Sequence, residues 1–178
     1  MRAIDFWSTA DIKQNMHRVD KILESGIFEP EQAMNPLVKS AFTELMICLR
    51  DLVWKAEKFG NRIAFTDDID PTLTPQVKDV TALIGFVRDA LCHIGIYNHF
   101  IIPGFVKASF DIIYGKGTLT PFKPKYDIAL VSDYPDDVCF FFGLHKIYLN
   151  RHIIRAYEEV KRELTPLPHF PFGDIVVY

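Results

Sequence analysis

Apolar residues recur at intervals of three and four in three long stretches of the chain, a spacing that places them on one face of an α-helix. The stretches cover about residues 9–25, 36–59 and 75–94. Helix-starting residues precede them (Ser8 or Thr9, Asn35 with Pro36, Thr74 with Pro75), and Gly26, Gly60 and Gly95 follow them. The pattern therefore predicts three amphipathic helices joined by short loops, as in a helical bundle.

The pattern changes after the third stretch. Residues 109–114, 127–132 and 138–142 are short, rich in β-branched or aromatic residues, and separated by Gly, Pro and Asp, which is typical of strands. Helical spacing returns over 149–163, with Asn150 as a possible cap. We expect one domain over residues 1–178. It is a mostly α, antiparallel helical bundle (about 8–95 and 149–163) with a small antiparallel β insertion (about 108–143) before the last long helix.

Composition narrows the classes of protein to which the chain can belong. Hydrophobic residues make up 49% and charged residues 24% of the sequence, which is typical of a globular protein and not of a disordered one. The net charge is -3, so the chain lacks the excess of basic residues that is typical of a nucleic-acid-binding domain. This charge argues against tight nonspecific binding to RNA. The longest apolar run, 138–144, is too short to span a membrane, and the N-terminus lacks a signal sequence, so we expect a cytoplasmic protein.

Cysteine, histidine and acidic residues give no complete metal-binding pattern. The three cysteines are odd in number and widely spaced, so neither a disulfide framework nor a zinc knuckle is expected. Asp133, Asp136 and Asp137 lack the spacing of a calcium-binding loop and are interpreted as a solvated acidic turn. The sequence therefore predicts neither a bound metal nor a cofactor.

Arg88 and His93 lie near the end of the third predicted helix and form the strongest candidate for chemistry. An arginine can bind a phosphate and offset charge in the transition state, and a histidine can take or give a proton near neutral pH. Asp89 and His93 share a helix face, so the carboxylate can orient the imidazole. Arg88 and His93 point about 140° apart on a regular helix and converge only if the helix ends or distorts here.

The segment FVRDALCHI, residues 86–94, resembles the Arg-x4-6-His motif of the HEPN superfamily, in which the arginine is typically followed by Asn, Asp or His. The resemblance covers the predicted helices and is specific at these few positions only. It implies a bundle that dimerises so that two motifs meet in one cleft, and a metal-independent endoribonuclease. Arg88 would hold the phosphate, His93 would act as general base or acid, and Asp89 would orient them. The predicted β element departs from the minimal pattern of that family.

Tyr97, Asn98 and His99 follow the motif closely and are candidates for binding the substrate, because single-stranded RNA is held by aromatic rings as well as by charge. Such residues also commonly terminate a helix without binding anything. Likewise, Arg88 can be a surface ion-pair partner and His93 a hydrogen-bonded residue at a helix end. Both interpretations stay open at the level of sequence.

Taken with the resemblance, the sequence predicts an endoribonuclease of the toxin or antiphage-defence kind. It would cleave single-stranded RNA to 2′,3′-cyclic phosphate and 5′-hydroxyl ends. The expected partners are a second copy of the chain, RNA, and an antitoxin or regulatory protein, with no membrane. The alternative is a non-catalytic HEPN-like module that binds a nucleotide, an RNA or a partner protein in the same cleft of the dimer.

Overall fold

The computed structural model describes residues 4–93, 97–102, 106–120, 129–165 and 167–168. Its α-helices are α1 (Phe6–Glu24), α2 (Val38–Phe59), α3 (Val80–Cys92) and α4 (Arg155–Leu164). A π-helix, Leu149–Ile154, leads directly into α4. All four predicted helices are thus present. Gly95, the predicted end of the third helix, lies outside the described residues.

Aspartates cap two of the helices, and both correct a predicted boundary. Asp5 accepts a hydrogen bond from the Ser8 amide at 2.9 Å at the start of α1, so the helix begins at Phe6 and the predicted caps, Ser8 and Thr9, lie inside it. Asp79 accepts one from the Ala82 amide at 2.8 Å, so α3 begins at Val80 and not at Pro75. The predicted start was wrong because Asp79 supplies a capping carboxylate close to the apolar run of the helix, and because its other contacts, with Arg62 at 2.9 Å, hold it there.

Seven short strands occur in the described residues: β1 (Phe100–Ile102), β2 (Val106–Lys107), β3 (Asp111–Tyr114), β4 (Gly117–Leu119), β5 (Leu130–Ser132), β6 (Val138–Phe142) and β7 (His145–Tyr148). All pairings are antiparallel. They form a two-stranded pair β1-β2, a three-stranded sheet β3-β6-β7 and a second pair β4-β5. The prediction of a mostly α, HEPN-like bundle is therefore wrong, and the chain has a mixed α+β fold.

The sheet belongs to the core and is not an insertion beside it. The Phe42 ring of α2 lies 4.1 Å from the Phe140 ring of β6, measured between centroids, and Phe142 packs in the same cluster. The alternate residues of β6, Cys139 and Phe141, are buried on the opposite face in a second cluster. Because both faces of β6 are covered, the sheet is as much a part of the interior as the helices are.

The helices that are long enough to cross a membrane are not apolar enough to do so. Across the described residues, none qualifies as a membrane span. Both α1 and α2 are amphipathic, with apolar residues buried on one side and charged residues on the other. Helix α2 is the central one, because it packs against α1, α3 and α4.

Candidate functional site

Arg88 lies on α3, one turn before the helix ends. Its side chain is 33% exposed, and its guanidinium pairs with the Asp89 carboxylate at 3.0 Å. The Asp89 side chain is 44% exposed, so this ion pair contributes little to stability and leaves most of the guanidinium donors free. Two of the three predicted catalytic side chains, Arg88 and Asp89, are therefore in contact.

His93 is the first residue beyond α3. Its backbone amide donates to the carbonyl of Asp89 at 2.9 Å, which closes the last turn, and its side chain is exposed. The helix ends here, as convergence with Arg88 requires. The Asp89 carboxylate, however, contacts Arg88, and no hydrogen bond joins it to the imidazole of His93 in the described part of the chain. Asp89 is thus placed to orient the arginine.

The three predicted substrate-binding residues form a short 3-10 helix, Tyr97–His99, and lie in different environments. Tyr97 is 82% exposed. The Asn98 side-chain amide donates to the carbonyl of Phe86 at 3.2 Å, which ties the segment to α3. His99 is buried, and neither of its ring nitrogens has a hydrogen-bond partner among the described residues. Of the three, Tyr97 alone presents its side chain fully to solvent.

A groove between α2 and α3 includes Arg88 and has a volume of about 530 Å³. We call it the α2–α3 groove; its lining residues are Ile47, Arg50, Asp51, Trp54, Arg88 and Cys92. Its four α2 residues share one helix face, because their spacing is three and four. His93 follows the last of the lining residues directly, although it is not itself part of the wall.

Arg50 is the cation in this groove that sequence analysis did not single out as a site residue. Its neighbour Asp51 is occupied elsewhere, because that carboxylate pairs with Lys55 and accepts a hydrogen bond from Asn15 of α1 at 2.7 Å. No acidic partner for Arg50 occurs in the portion of the chain that is described. Its guanidinium is therefore a cation without a matching anion.

Trp54 adds an aromatic surface beside the two arginines. Its side chain is 46% exposed, although tryptophan is highly buried in most proteins. The ammonium of Lys58, one turn later, lies 4.9 Å from the centre of the ring. A sequence signal for Trp54 exists: it lies off the apolar stripe of α2 that runs through Phe42, Leu49 and Leu52 to the core.

A second polar region lies where β7 joins α4. We call it the junction network; its charged residues are Asp67, Asp136, Asp137, Arg151 and Arg155. Three of them, Asp67, Arg151 and Arg155, line a cavity of about 360 Å³ that also includes Tyr134. Arg151 stacks 3.7 Å above the ring of Tyr134. Both arginines of this region have carboxylate partners within 3.2 Å.

Asp137 is the centre of the junction network. The predicted solvated turn is wrong for this residue, because its side chain is completely buried. It accepts hydrogen bonds from the backbone amides of Val138, Asn150 and Arg151, at 2.8, 2.8 and 3.1 Å, and from the Arg151 side chain at 3.2 Å. Asp137 thus caps the π-helix and fixes the direction in which α4 leaves the sheet.

His152 is held in one neutral form inside the π-helix. Its Nδ1 accepts from the Tyr148 amide at 3.1 Å, so its Nε2 carries the proton and donates to the carbonyl of Asp67 at 2.8 Å. Burial lowers the pKa of His152, and it also lowers the pKa of His145, whose ring bonds the Thr74 hydroxyl at 2.9 Å. Both imidazoles are buried and hydrogen-bonded within the chain, and His145 also lines a cavity of about 370 Å³.

Searches of protein-family models, curated proteins and solved structures find no match to the chain. Within the described residues, no three or more His, Cys, Asp or Glu side chains are grouped in a way that can hold a metal ion. The α2–α3 groove therefore stands as the candidate site on its own geometry. It combines two arginines, an exposed indole ring and an adjacent exposed histidine.

Proposed function

We propose that the protein binds single-stranded RNA in the α2–α3 groove. The observation that carries the proposal is that Arg50 and Arg88, from different helices, border the same groove as the exposed ring of Trp54. Guanidinium groups bind phosphate through two parallel hydrogen bonds, and bases of single-stranded RNA stack on aromatic rings. A phosphodiester group at the arginines and a base on Trp54 would satisfy both kinds of contact.

We further propose that Arg88 and His93 cleave the bound strand. The 2′-hydroxyl oxygen would attack the phosphorus while its proton passes to a base, and the bond to the 5′ oxygen would break as that oxygen gains a proton. The products are a 2′,3′-cyclic phosphate and a 5′-hydroxyl. Arg88 would offset the charge on the phosphorane oxygens, with Asp89 fixing its orientation at 3.0 Å, and His93 would transfer protons.

Exposure supports this role for His93, because a general acid or base must reach the substrate. A homodimer that brings two grooves together would supply two imidazoles, one to take the proton and the other to give it. The proposal places the protein in the cytoplasm as a toxin or antiphage effector, with an antitoxin or regulatory protein restraining it. The alternative function is RNA binding without cleavage, which the Asp89 contact favours because no carboxylate among the described residues orients His93.

Binding is tested by the fluorescence anisotropy of labelled decauridylate at low and moderate salt. We expect Arg50→Ala, Arg88→Ala and Trp54→Ala each to weaken binding about tenfold, which corresponds to the loss of one charge-assisted or stacking contact. Arg162→Ala is the matched control, because Arg162 is an exposed arginine on α4, outside the groove. Equal affinity of all four variants and the wild type would exclude the groove.

Cleavage is tested on the same RNA in EDTA, followed by analysis of the fragment ends. We expect the wild type to leave cyclic phosphate ends and His93→Ala to bind RNA without cutting it. If the RNA stays intact in every sample although the folded wild type binds it, the binding function is retained and the catalytic function is excluded. Size-exclusion chromatography with light scattering measures whether the protein is a dimer under the same conditions.

A further inference from the structure

Gly85 lies inside α3, where a glycine is least expected. It is the sixth residue of a 13-residue helix, and glycine destabilises a helix interior more than any residue except proline. The backbone of Gly85 has ordinary helical geometry, so no turn requires it. The presence of a glycine here must therefore be explained by the space that a side chain would fill.

That space is occupied by Arg50. A Cβ atom added at Gly85 would lie 3.2 Å from Nε of Arg50, closer than most such contacts, and 3.7 Å from its Cδ, an ordinary van der Waals distance. Among the described residues, and apart from the backbone of the helix itself and the two chain neighbours, these are the only atoms within 4 Å of that position. Among the described residues, the missing side chain therefore makes room for Arg50.

The position of Gly85 also explains where the guanidinium of Arg50 goes. Gly85 and Arg88 are three residues apart on α3, so they share one face of the helix. Arg50 reaches across from α2 and lies against that face, where it lines the same groove as Arg88 and has no carboxylate partner among the described residues. Two neighbouring guanidiniums repel each other, and an anion placed between them removes the repulsion.

We propose that Gly85 is a positioning residue that holds Arg50 beside Arg88, so that the two guanidiniums bind one phosphodiester group. The inference rests on the proposed function for its ligand. Its structural part, the dependence of the position of Arg50 on Gly85, stands on the contact distance alone.

The test is the variant Gly85→Ala in the full-length chain. Because alanine favours the helix and the Arg50 side chain can move aside, we expect the melting temperature to rise by about 2–4 °C. Binding of labelled decauridylate weakens about tenfold, and the salt dependence of its affinity falls by about 0.7 in slope, as expected for one lost phosphate contact. A general structural defect would lower the melting temperature instead.

A double-mutant cycle with Arg50→Ala separates the mechanism from other effects. If Gly85 acts through Arg50, adding Gly85→Ala to Arg50→Ala leaves the affinity for decauridylate unchanged. A further loss in the double variant, or wild-type affinity of Gly85→Ala alone, would overturn the inference while leaving the RNA function in place.

The position of Arg50 can also be followed without RNA. A nitrogen-proton NMR spectrum recorded in slightly acidic solution shows the Nε–H resonance of the Arg50 side chain. The Arg50→Ala variant, which lacks this resonance, assigns it. We expect Gly85→Ala to shift this resonance; an unchanged resonance would overturn the structural part of the inference. A wild-type protein that fails to bind decauridylate would overturn the proposed function and the phosphodiester ligand. The NMR result would still decide the role of Gly85.

Discussion

The α2–α3 groove and the junction network place arginines in opposite environments. In the junction network, Arg151 and Arg155 stack on aromatic rings and pair with carboxylates, so their charges are compensated within the chain. In the groove, Arg50 lacks an acidic partner among the described residues, and Arg88 has only an exposed one. Compensated charges connect parts of a fold, whereas uncompensated charges remain available to a ligand. The comparison separates residues that stabilise the protein from residues that bind.

The largest expected effect is the loss of the buried carboxylate in the junction network. Asp137→Asn keeps one acceptor oxygen, but it removes the negative charge beside the Arg151 guanidinium and puts an NH2 donor where Oδ2 accepted from the amide and side chain of Arg151. We expect a loss of about 3 kcal/mol in the free energy of unfolding. Urea denaturation measures it. Asp136→Asn is the matched control: Asp136 pairs with the same arginine at 3.2 Å, but its side chain is 70% exposed, so the cost is below about 1 kcal/mol.

Equal losses of stability in these two variants would contradict the central position of Asp137. The same variants also test the separation of the two regions. Because Asp137 lies outside the groove, the affinity of folded Asp137→Asn for RNA should equal that of the wild type.

Replacing one arginine from each region gives the next largest effect. Arg50→Ala should weaken RNA binding about tenfold and leave the free energy of unfolding unchanged or slightly raised, because a repulsion is removed. Arg155→Ala should do the reverse. It removes a cation stacked 3.8 Å above the ring of Phe65 and paired with Asp67 at 3.0 Å, at a cost of about 1 kcal/mol, and it spares RNA binding.

Both variants are measured by urea denaturation and by anisotropy on the same preparations. A variant that changes both quantities strongly would break the comparison, because one arginine would then serve the fold and the ligand together. Arg162→Ala, which lies outside both regions, should change neither.

Lower pH should destabilise the protein through the histidines that it buries. Burial lowers the pKa of His145 and His152 below the ordinary value of 6.5, so the unfolded chain binds protons that the folded chain does not. Their contribution to stability is fully present above pH 6.5 and is lost as the pH falls toward the folded pKa values. The limiting slope is about 1.4 kcal/mol per pH unit for each histidine.

Urea denaturation between neutral and mildly acidic pH measures this dependence. His145→Gln should reduce the slope, whereas His17→Gln, at an exposed position on α1, should leave it unchanged. An identical slope in the wild type and His145→Gln would mean that His145 does not contribute. RNA binding by the groove should not follow the same profile, because neither buried histidine lines it.

Periodicity alone was enough to predict the helices, because each one presents an apolar face to a shared core. It also placed strands at 109–114 and 138–142, where β3 and β6 occur. It did not find β7, whose four residues are two polar side chains followed by an aliphatic and an aromatic one, without alternation, before the π-helix begins. The fold class was wrong for a tertiary reason: the packing of Phe42 on Phe140, which makes the sheet part of the core, joins residues far apart in sequence.

Like the fold, the candidate site was predictable from the sequence only in part. Sequence analysis singled out Arg88 and the neighbouring His93 from their chemistry. Arg50, Trp54 and Gly85 join the site only because α2 packs beside α3, and no local pattern contains that contact. The weak local signals were a tryptophan outside an apolar stripe and a glycine inside a helix, each unfavourable by itself.

The smallest expected effect concerns the reactivity of the cysteine thiols toward alkylation, which can show whether a ligand occupies the groove. Burial raises the pKa of Cys48 to about 11 and that of Cys139 to about 12, so iodoacetamide should not modify either thiol in the folded protein. Cys92 is exposed and lines the groove beside Arg88. Mass spectrometry of the native protein should therefore find modification at Cys92 alone.

Bound RNA covers this thiol if the groove is the binding site. At a concentration of decauridylate equal to its dissociation constant, half of the sites are occupied, and the rate of Cys92 alkylation should fall about twofold. In Arg50→Ala, which binds about tenfold more weakly, decauridylate at the same concentration fills about a tenth of the sites and should lower the rate by only about a tenth. Binding without any protection of Cys92 would place the RNA outside the α2–α3 groove and would remove the contrast between its arginines and those of the junction network.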